Sequence, residues 1–224
     1  ENGGAVAFFG SAATYRQLVG TQPDLYRGFM CQVWLHQRAS GTAGLVHPDT
    51  HFGGVREGVI RAASYRRLRV HGSFVNVSNW AFDDAGRTVE FGIHIYGPER
   101  EVNFLHLSQL FSAEALADSL DHDGSGVPPG QKSRGAWDRR PHRARVIRVD
   151  AATLAVWQRL RCDTGPVERA ALLYPITVHE ERAITGLAAV GHRLAVEGPW
   201  ISSGYHESGA KQAGLIRFAP GLVD

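Results

Sequence analysis

Two groups of basic side chains are the residues of this sequence best suited to chemistry, and the chemistry is electrostatic. The first fills the stretch His122 to His142, HDGSGVPPGQKSRGAWDRRPH, and runs one residue beyond it. Lys132, Arg134, Arg139, Arg140 and Arg143 crowd around one aromatic, Trp137, with Asp138 as the only local acid. The second is Arg56, Arg61, Arg66, Arg67 and Arg69, set against Glu57. Such cations bind phosphates, and each contact adds affinity by counterion release without reading sequence. An aromatic among them offers a face for a base or a wedge for a base step. If the two groups lie together they can neutralise several phosphates of one duplex. The alternatives are a solvated, flexible insertion and an ordinary arginine-rich surface.

The histidines are the next candidates. His47 and His51 flank Asp49 at a spacing that could hold a metal, but the sequence supplies no convincing third or fourth ligand. His122 and Asp123 could act as an acid/base pair, and serve equally well as turn formers before Gly124. Together these residues would be the donor set of a metal-dependent phosphoesterase, a reading of a different class. Familiar catalytic signatures are missing: GxxxxGK[ST], HExxH, GxSxG and a GxGxxG at a strand-to-helix junction do not occur. The glycine pair Gly124 and Gly126 precedes Pro128-Pro129, which forbids the helix a dinucleotide site needs. No residue is assigned a catalytic or metal-binding role on these grounds.

Composition sets the frame. The 224 residues, 43% of them hydrophobic, suffice for one sizeable domain or two small ones, and the net charge is only +2. The two cysteines, Cys31 and Cys162, show neither zinc spacing nor a disulfide framework, which fits a reducing cytoplasm. No apolar run reaches membrane-spanning length. The only methionine is Met30 and the chain opens Glu-Asn-Gly-Gly, so a piece of a longer polypeptide is expected.

The elements that must position these residues read as follows. Gly4 to Phe9 is a short apolar strand, and a helix starts at Pro23 and runs to about Arg38. Ala43 to His47 is a buried strand ended by Pro48, and helix followed by strand is the grammar of a parallel sheet. Residues 48–54 form a loop at the strand end where open α/β sheets bind ligands. Val55 to Arg69 is a helix with an arginine face. Ser73 to Ser78, Thr88 to Tyr96 and Glu101 to Leu107 look like an antiparallel meander. Ser112 caps a helix to Leu120. The loop from His122 follows, at roughly twenty residues much longer than most connections. Arg145 to Val149 is a strand, Asp150 caps the next helix, and Thr177 to Glu180 has capping-box spacing. Leu215 to Phe218 is strand-like.

Several strings taken in order, GLVHPDTHF, SYRRLR, FVNV, FGIHIYG, DHDGSGVPPGQKSRGAWDRRPHRARVIRVD and SSGYHESGAKQAGLIRF, resemble one family. It is the large single-chain adenine-N6 DNA methyltransferases of restriction–modification and phage-defence systems, the type IIG and BREX-like enzymes. The resemblance implies an α/β half-domain over residues 1–70, the late part of a Rossmann-like methyltransferase sheet. Residues 71–224 would be an α+β, mainly antiparallel target-recognition region. It implies double-stranded DNA and an upstream catalytic part of the same polypeptide as partners, S-adenosyl-L-methionine as cofactor, and flipping of the target adenine. Arg66, Arg67, Arg69, Lys132, Arg134, Arg139, Arg140 and Arg143 would contact phosphate, and Trp137 a base step. The family's catalytic tetrapeptide, Asn or Asp followed by Pro-Pro and an aromatic, is absent, as is its glycine-rich cofactor loop. No catalytic residue carries over, and the chain alone is expected not to methylate DNA; the alternative ahead of the phosphoesterase is a free-standing nucleic-acid-binding module whose catalytic half has been lost.

Overall fold

In the computed structural model, which describes residues 2–22, 24–86, 89–191, 197–198 and 206–215, the first apolar run is helical rather than extended. Helix α1 spans Asn2–Gly10. A short apolar run carries no period that separates helix from strand, and aromatic packing decides here. Phe9 stacks on Tyr15 at 5.5 Å and lies over Gly28 of the next helix, where a Cβ would meet its ring. That helix, α2, covers Leu25–His36; Pro23 lies outside the described residues.

Strand β1, Ala43–His47, is followed by two short helices, α3 at Thr50–Gly53 and α4 at Gly58–Arg67. Strands β2 (Leu68–Val75), β3 (Glu90–Tyr96) and β4 (Asn103–Leu110) come next. Helix α5, Ala113–Asp121, is capped by Ser112, whose side chain accepts from the Ala115 N–H as expected. A small hairpin, β5 (Lys132–Ser133) and β6 (Ala136–Trp137), interrupts the long loop. Strand β7, Ile147–Asp150, leads directly into α6, Ala151–Arg161, where Asp150 caps by accepting from the Thr153 N–H at 2.9 Å. Helix α7, Val178–Ala189, lacks the expected capping box: the Thr177 side chain makes no cap bond, and Glu180 accepts from the Ile176 N–H instead.

The main sheet has the order β1-β3-β2-β4-β7. β3 is antiparallel to both β1 and β2, so β1 and β2 are parallel with a reversed strand between them. β4 is parallel to β2, and β7 antiparallel to β4. The fold is therefore α/β, a mixed and mainly antiparallel sheet with helices. Two expectations change in detail. β1 is not a buried strand of a parallel sheet but an edge, with Val46 58% exposed. The three middle strands are not a meander, because β4 pairs with β2 rather than β3. The β3–β4 turn crosses the start of β2, tied there by the Gly97 and Arg100 N–H groups donating to the carbonyls of Arg67 and Arg66. Strands from both sides of residue 70 share this sheet.

Alternation along the strands divides the core between two faces. Leu68, Tyr96, Phe104, Ile147 and Val149 pack with Phe52, Tyr65, Leu154 and Trp157 on one side. Phe74, Phe91, Leu107 and Leu110 pack with Ala115 of α5 on the other. Chain contacts divide the protein into two units, Glu1–Val190 and Gly191–Asp224. In the second, helix α8, Glu207–Gln212, is capped by His206, and residues 216–218 of the strand expected there lie outside the described residues. No described helix is long and apolar enough to cross a membrane.

Candidate functional site: a buried histidine row and an exposed basic hairpin

Three adjacent strands each place one histidine at the same level. His94 of β3 is the register partner of His71 on β2, and His71 that of His106 on β4. Each sits on the inward face, two residues from a core aromatic in the cases of Tyr96 and Phe104, so the strand period buries it. All three are 0% exposed. Their rings stack side by side, 4.8 Å between His94 and His71 and 4.9 Å between His71 and His106. Asp49, from the β1–α3 junction, reaches into this row. Its Oδ2 lies 3.1 Å from His71 Nε2 and its Oδ1 3.0 Å from His94 Nε2. The second approach lacks hydrogen-bond alignment, and Asp49 Oδ1 and both His94 nitrogens are left without a partner. Gly92 makes room: a Cβ there would collide with Asp49 Oδ1 and the His94 ring.

The pair singled out by sequence spacing lies beside this row but is engaged elsewhere. His47 stacks on His94 at 3.7 Å, while its Nδ1 meets the Pro48 carbonyl at 2.9 Å and its Nε2 the Tyr96 hydroxyl at 3.1 Å. His51 Nδ1 is 3.5 Å from the Tyr26 hydroxyl, and its Nε2 has no partner. Burial, which disfavours the cation, lowers His47 to about 3 and His94 to about 4. The same cause holds His51 and His106 well below the usual imidazole value. Burial pushes Asp49 upward, but His71 and His94 outweigh it and hold the carboxyl well below its ordinary value. The result is one buried carboxylate among imidazoles, of which His47, His51, His94 and His106 are disfavoured as cations.

Arg61 fixes the loop that carries Asp49. It is buried, and its guanidinium donates to the carbonyls of Phe52 at 3.1 Å, Gly54 at 2.8 Å and Arg169 at 2.6 Å. The Leu172 N–H donates to the Phe52 carbonyl, and the Tyr65 hydroxyl to that of Ala170, closing segment 169–172 over the loop. Arg27 and Glu57 form a buried ion pair of 3.1 Å on the other side. Arg61 thus belongs to the core and not to a basic helix face.

The remaining basic residues fall into two places. Arg66 and Arg67 both pair with Glu99, at 3.0 and 3.1 Å. The Arg67 guanidinium also lies over Trp34, and Arg69 donates to the carbonyls of Arg67, Leu68 and Pro98. The long loop is built around buried Asp138. Its carboxylate takes the Arg140 fork at 2.9 and 2.7 Å and the Gly130 N–H at 3.2 Å. Buried Arg145 donates to the Asp138 and Arg140 carbonyls, and Arg143 to that of Leu120. Lys132, Arg134 and Arg139 are exposed and have no ion pair among the described residues. Trp137 is 37% exposed, stacked on Phe111 at 5.0 Å with the Lys132 ammonium 5.0 Å from its ring centre. A cleft of about 460 Å³ opens between Val77, Ser78, Lys132, Trp137 and Arg139. This cleft lies past the end of β2, whereas Arg66, Arg67 and Arg69 flank its start. The two groups are separated by the length of an eight-residue strand, roughly 25 Å, and do not lie together. His122 and Asp123 serve as turn formers, accepting from the N–H groups of Gly124 and Ser125.

The histidine row had a sequence signal that spacing of His47 and His51 did not convey. His71, His94 and His106 each occupy an inward position of an alternating strand. Only their pairing across strands brings them together.

No family model matches the chain, and no curated protein matches it. Among solved structures, the methyltransferase subunit of a type I restriction-modification system from Streptococcus thermophilus is 14% identical, with a TM-score of 0.38, covering 51% of this chain and 24% of that one. The M protein of the type I restriction enzyme EcoKI is 14% identical, with a TM-score of 0.40, covering 91% of this chain and 49% of that one. A chain of a type I R-M system complex is 17% identical, with a TM-score of 0.29, covering 85% and 35%. The chain thus spans less than half the length of each of these three, and at these TM-scores the likeness assigns neither family nor activity.

Proposed function

We propose that this chain is the DNA-facing C-terminal part of an adenine-N6 DNA methyltransferase of restriction–modification or phage-defence type. The observation that carries this reading is the β5–β6 hairpin. Three cations without an ion pair among the described residues, Lys132, Arg134 and Arg139, lie on or next to this hairpin, and Lys132 and Arg139 line a cleft with the half-exposed Trp137. Unpaired cations bind phosphate by counterion release, and an aromatic edge at a cleft suits an unstacked base. The loop's buried anchors, Asp138 and Arg145, hold those side chains in place before any ligand arrives, which lowers the ordering cost of binding. Arg140 and Arg143 contribute less, being bound to Asp138 and the Leu120 carbonyl. Arg66, Arg67 and Arg69 are a secondary contact at the far end of β2.

The upstream catalytic part of the same polypeptide would complete the sheet at β1. The free β1 edge and the exposed apolar side chains Leu25, Phe29 and Leu35 of α2 support this, because unpaired edges and apolar helix faces are normally covered. S-adenosyl-L-methionine does not fit the residues present. Among the described residues no glycine-rich loop leads from a strand into a helix, and the junction after β1 is filled by the histidine row. We assign the cofactor and the chemistry to the upstream part.

Titration of the chain with duplex DNA at about 50 and 200 mM salt tests the reading. Binding that weakens steeply with salt, with no methyl transfer by this chain alone, is expected. A salt-independent response contradicts the phosphate contacts, and methyl transfer by this chain contradicts the placement of the chemistry.

A further inference from the structure

We propose that Asp49, His71 and His94 hold one divalent first-row metal ion, zinc being the probe of choice, at a buried site joining the β1–α3 junction to β2 and β3. The inference is independent of the DNA reading. The three donor atoms lie within 4.8 Å of one another. The two carboxylate oxygens each face one imidazole Nε2, at 3.1 and 3.0 Å. An ion about 2.0–2.2 Å from each donor requires the two rings to close inward on the carboxylate. Two nitrogens and a carboxylate oxygen form a borderline donor set that suits zinc and its neighbours rather than magnesium or calcium.

Three further observations point to an ion rather than to a metal-free histidine core. Asp49 Oδ1 and His94 Nε2 are buried and 3.0 Å apart, but out of hydrogen-bond alignment. A buried carboxylate oxygen and a buried ring nitrogen in poor alignment are costly unless something satisfies both. Second, the only acid in the row is Asp49, and no lysine or arginine pairs with it among the described residues. Third, His71 already has the outer partner that a metal-bound imidazole requires. With His71 Nε2 on the ion, its Nδ1–H donates to His106 Nδ1 at 2.9 Å, which fixes tautomer and ring orientation. His47 and His51 stay outside the coordination shell, His47 because both its nitrogens are engaged. The ligands are buried, so the ion stabilises the fold and activates no substrate.

The test is zinc stoichiometry by equilibrium dialysis, the melting temperature with zinc or with a chelator, and the zinc X-ray absorption spectrum of the unaltered chain. One zinc per chain, a higher melting temperature with zinc, and a shell of two imidazoles plus oxygen are expected. Asp49→Asn and His94→Gln should each weaken binding more than 100-fold. His106→Gln should weaken it about 10- to 100-fold through His71. His179→Gln, at an exposed histidine, should change nothing. If a ligand variant fails to fold, the absorption spectrum of the unaltered chain decides alone. No stoichiometric zinc, an unchanged affinity in folded Asp49→Asn, or a shell without two imidazoles overturns the site.

Discussion

His71 and His106 meet Nδ1 to Nδ1 at 2.9 Å across the parallel pair β2 and β4, both fully buried. Two imidazoles in that geometry hold one hydrogen between them, so one ring donates and the other accepts. His106 Nε2 has no hydrogen-bond partner, so the contact with His71 is the side-chain bond that fixes its ring. The expected consequence is that ¹⁵N spectra show one of the two Nδ1 atoms protonated and the other bare. His106→Leu leaves His71 Nδ1 unpaired in the core and should cost about 1–3 kcal/mol in urea unfolding. A neutral outcome would mean that the sheet tolerates an orphaned His71.

Gly92 is the backbone condition for the row. Alanine there would place a Cβ on Asp49 Oδ1 and the His94 ring. Gly92→Ala should destabilise the chain by about 1–3 kcal/mol, in line with other overpacked cores. Gly86→Ala is the matched control, since a Cβ at that position meets nothing closer than Val89 Cγ2 at 3.6 Å. Equal melting temperatures for the two variants would contradict the packing described.

Acid should open the basic loop before it unfolds the sheet. The Arg140 fork and the hydrogen bonds around it lower Asp138 to about 2. The folded value lies below the unfolded one, near 3.9. The carboxylate's contribution is therefore fully present above about pH 4 and is lost as pH falls through about 2. Trp137 fluorescence and limited proteolysis within residues 122–142 by an acid-active protease should report opening in that window. In Asp138→Asn the loop should be open already at neutral pH, with little further change in acid.

Much of the architecture was legible in the sequence, and the reasons for the rest are physical. The Ser112 and Asp150 caps, helices α2 and α6, and strands β1, β3 and β7 follow from local signals. Gly4 to Phe9 misled because a run of six apolar or small residues looks the same as strand or helix until Phe9 finds Tyr15 and Gly28. The order of β2, β3 and β4 is a long-range choice, set by the crossing at Gly97 and Arg100. Arg61 read as part of a basic helix face because composition cannot distinguish an arginine in solvent from one saturated by carbonyls. The Asp49 cluster was half visible: its loop stood out, but His71, His94 and His106 are separated by strand lengths and meet only through sheet register.

The central claim, that DNA is held chiefly by the hairpin, is tested most directly by the salt dependence of duplex binding in two triple variants. One removes Lys132, Arg134 and Arg139 by glutamine; the other removes Arg66, Arg67 and Arg69. Neutralising three phosphate contacts lowers the slope of log K against log salt by about 2 to 3. That loss is expected for the hairpin triple, with a smaller change for the β2 triple, whose side chains already pair with Glu99 and backbone carbonyls. An unchanged slope in the hairpin triple, or a larger loss in the β2 triple, would contradict the account.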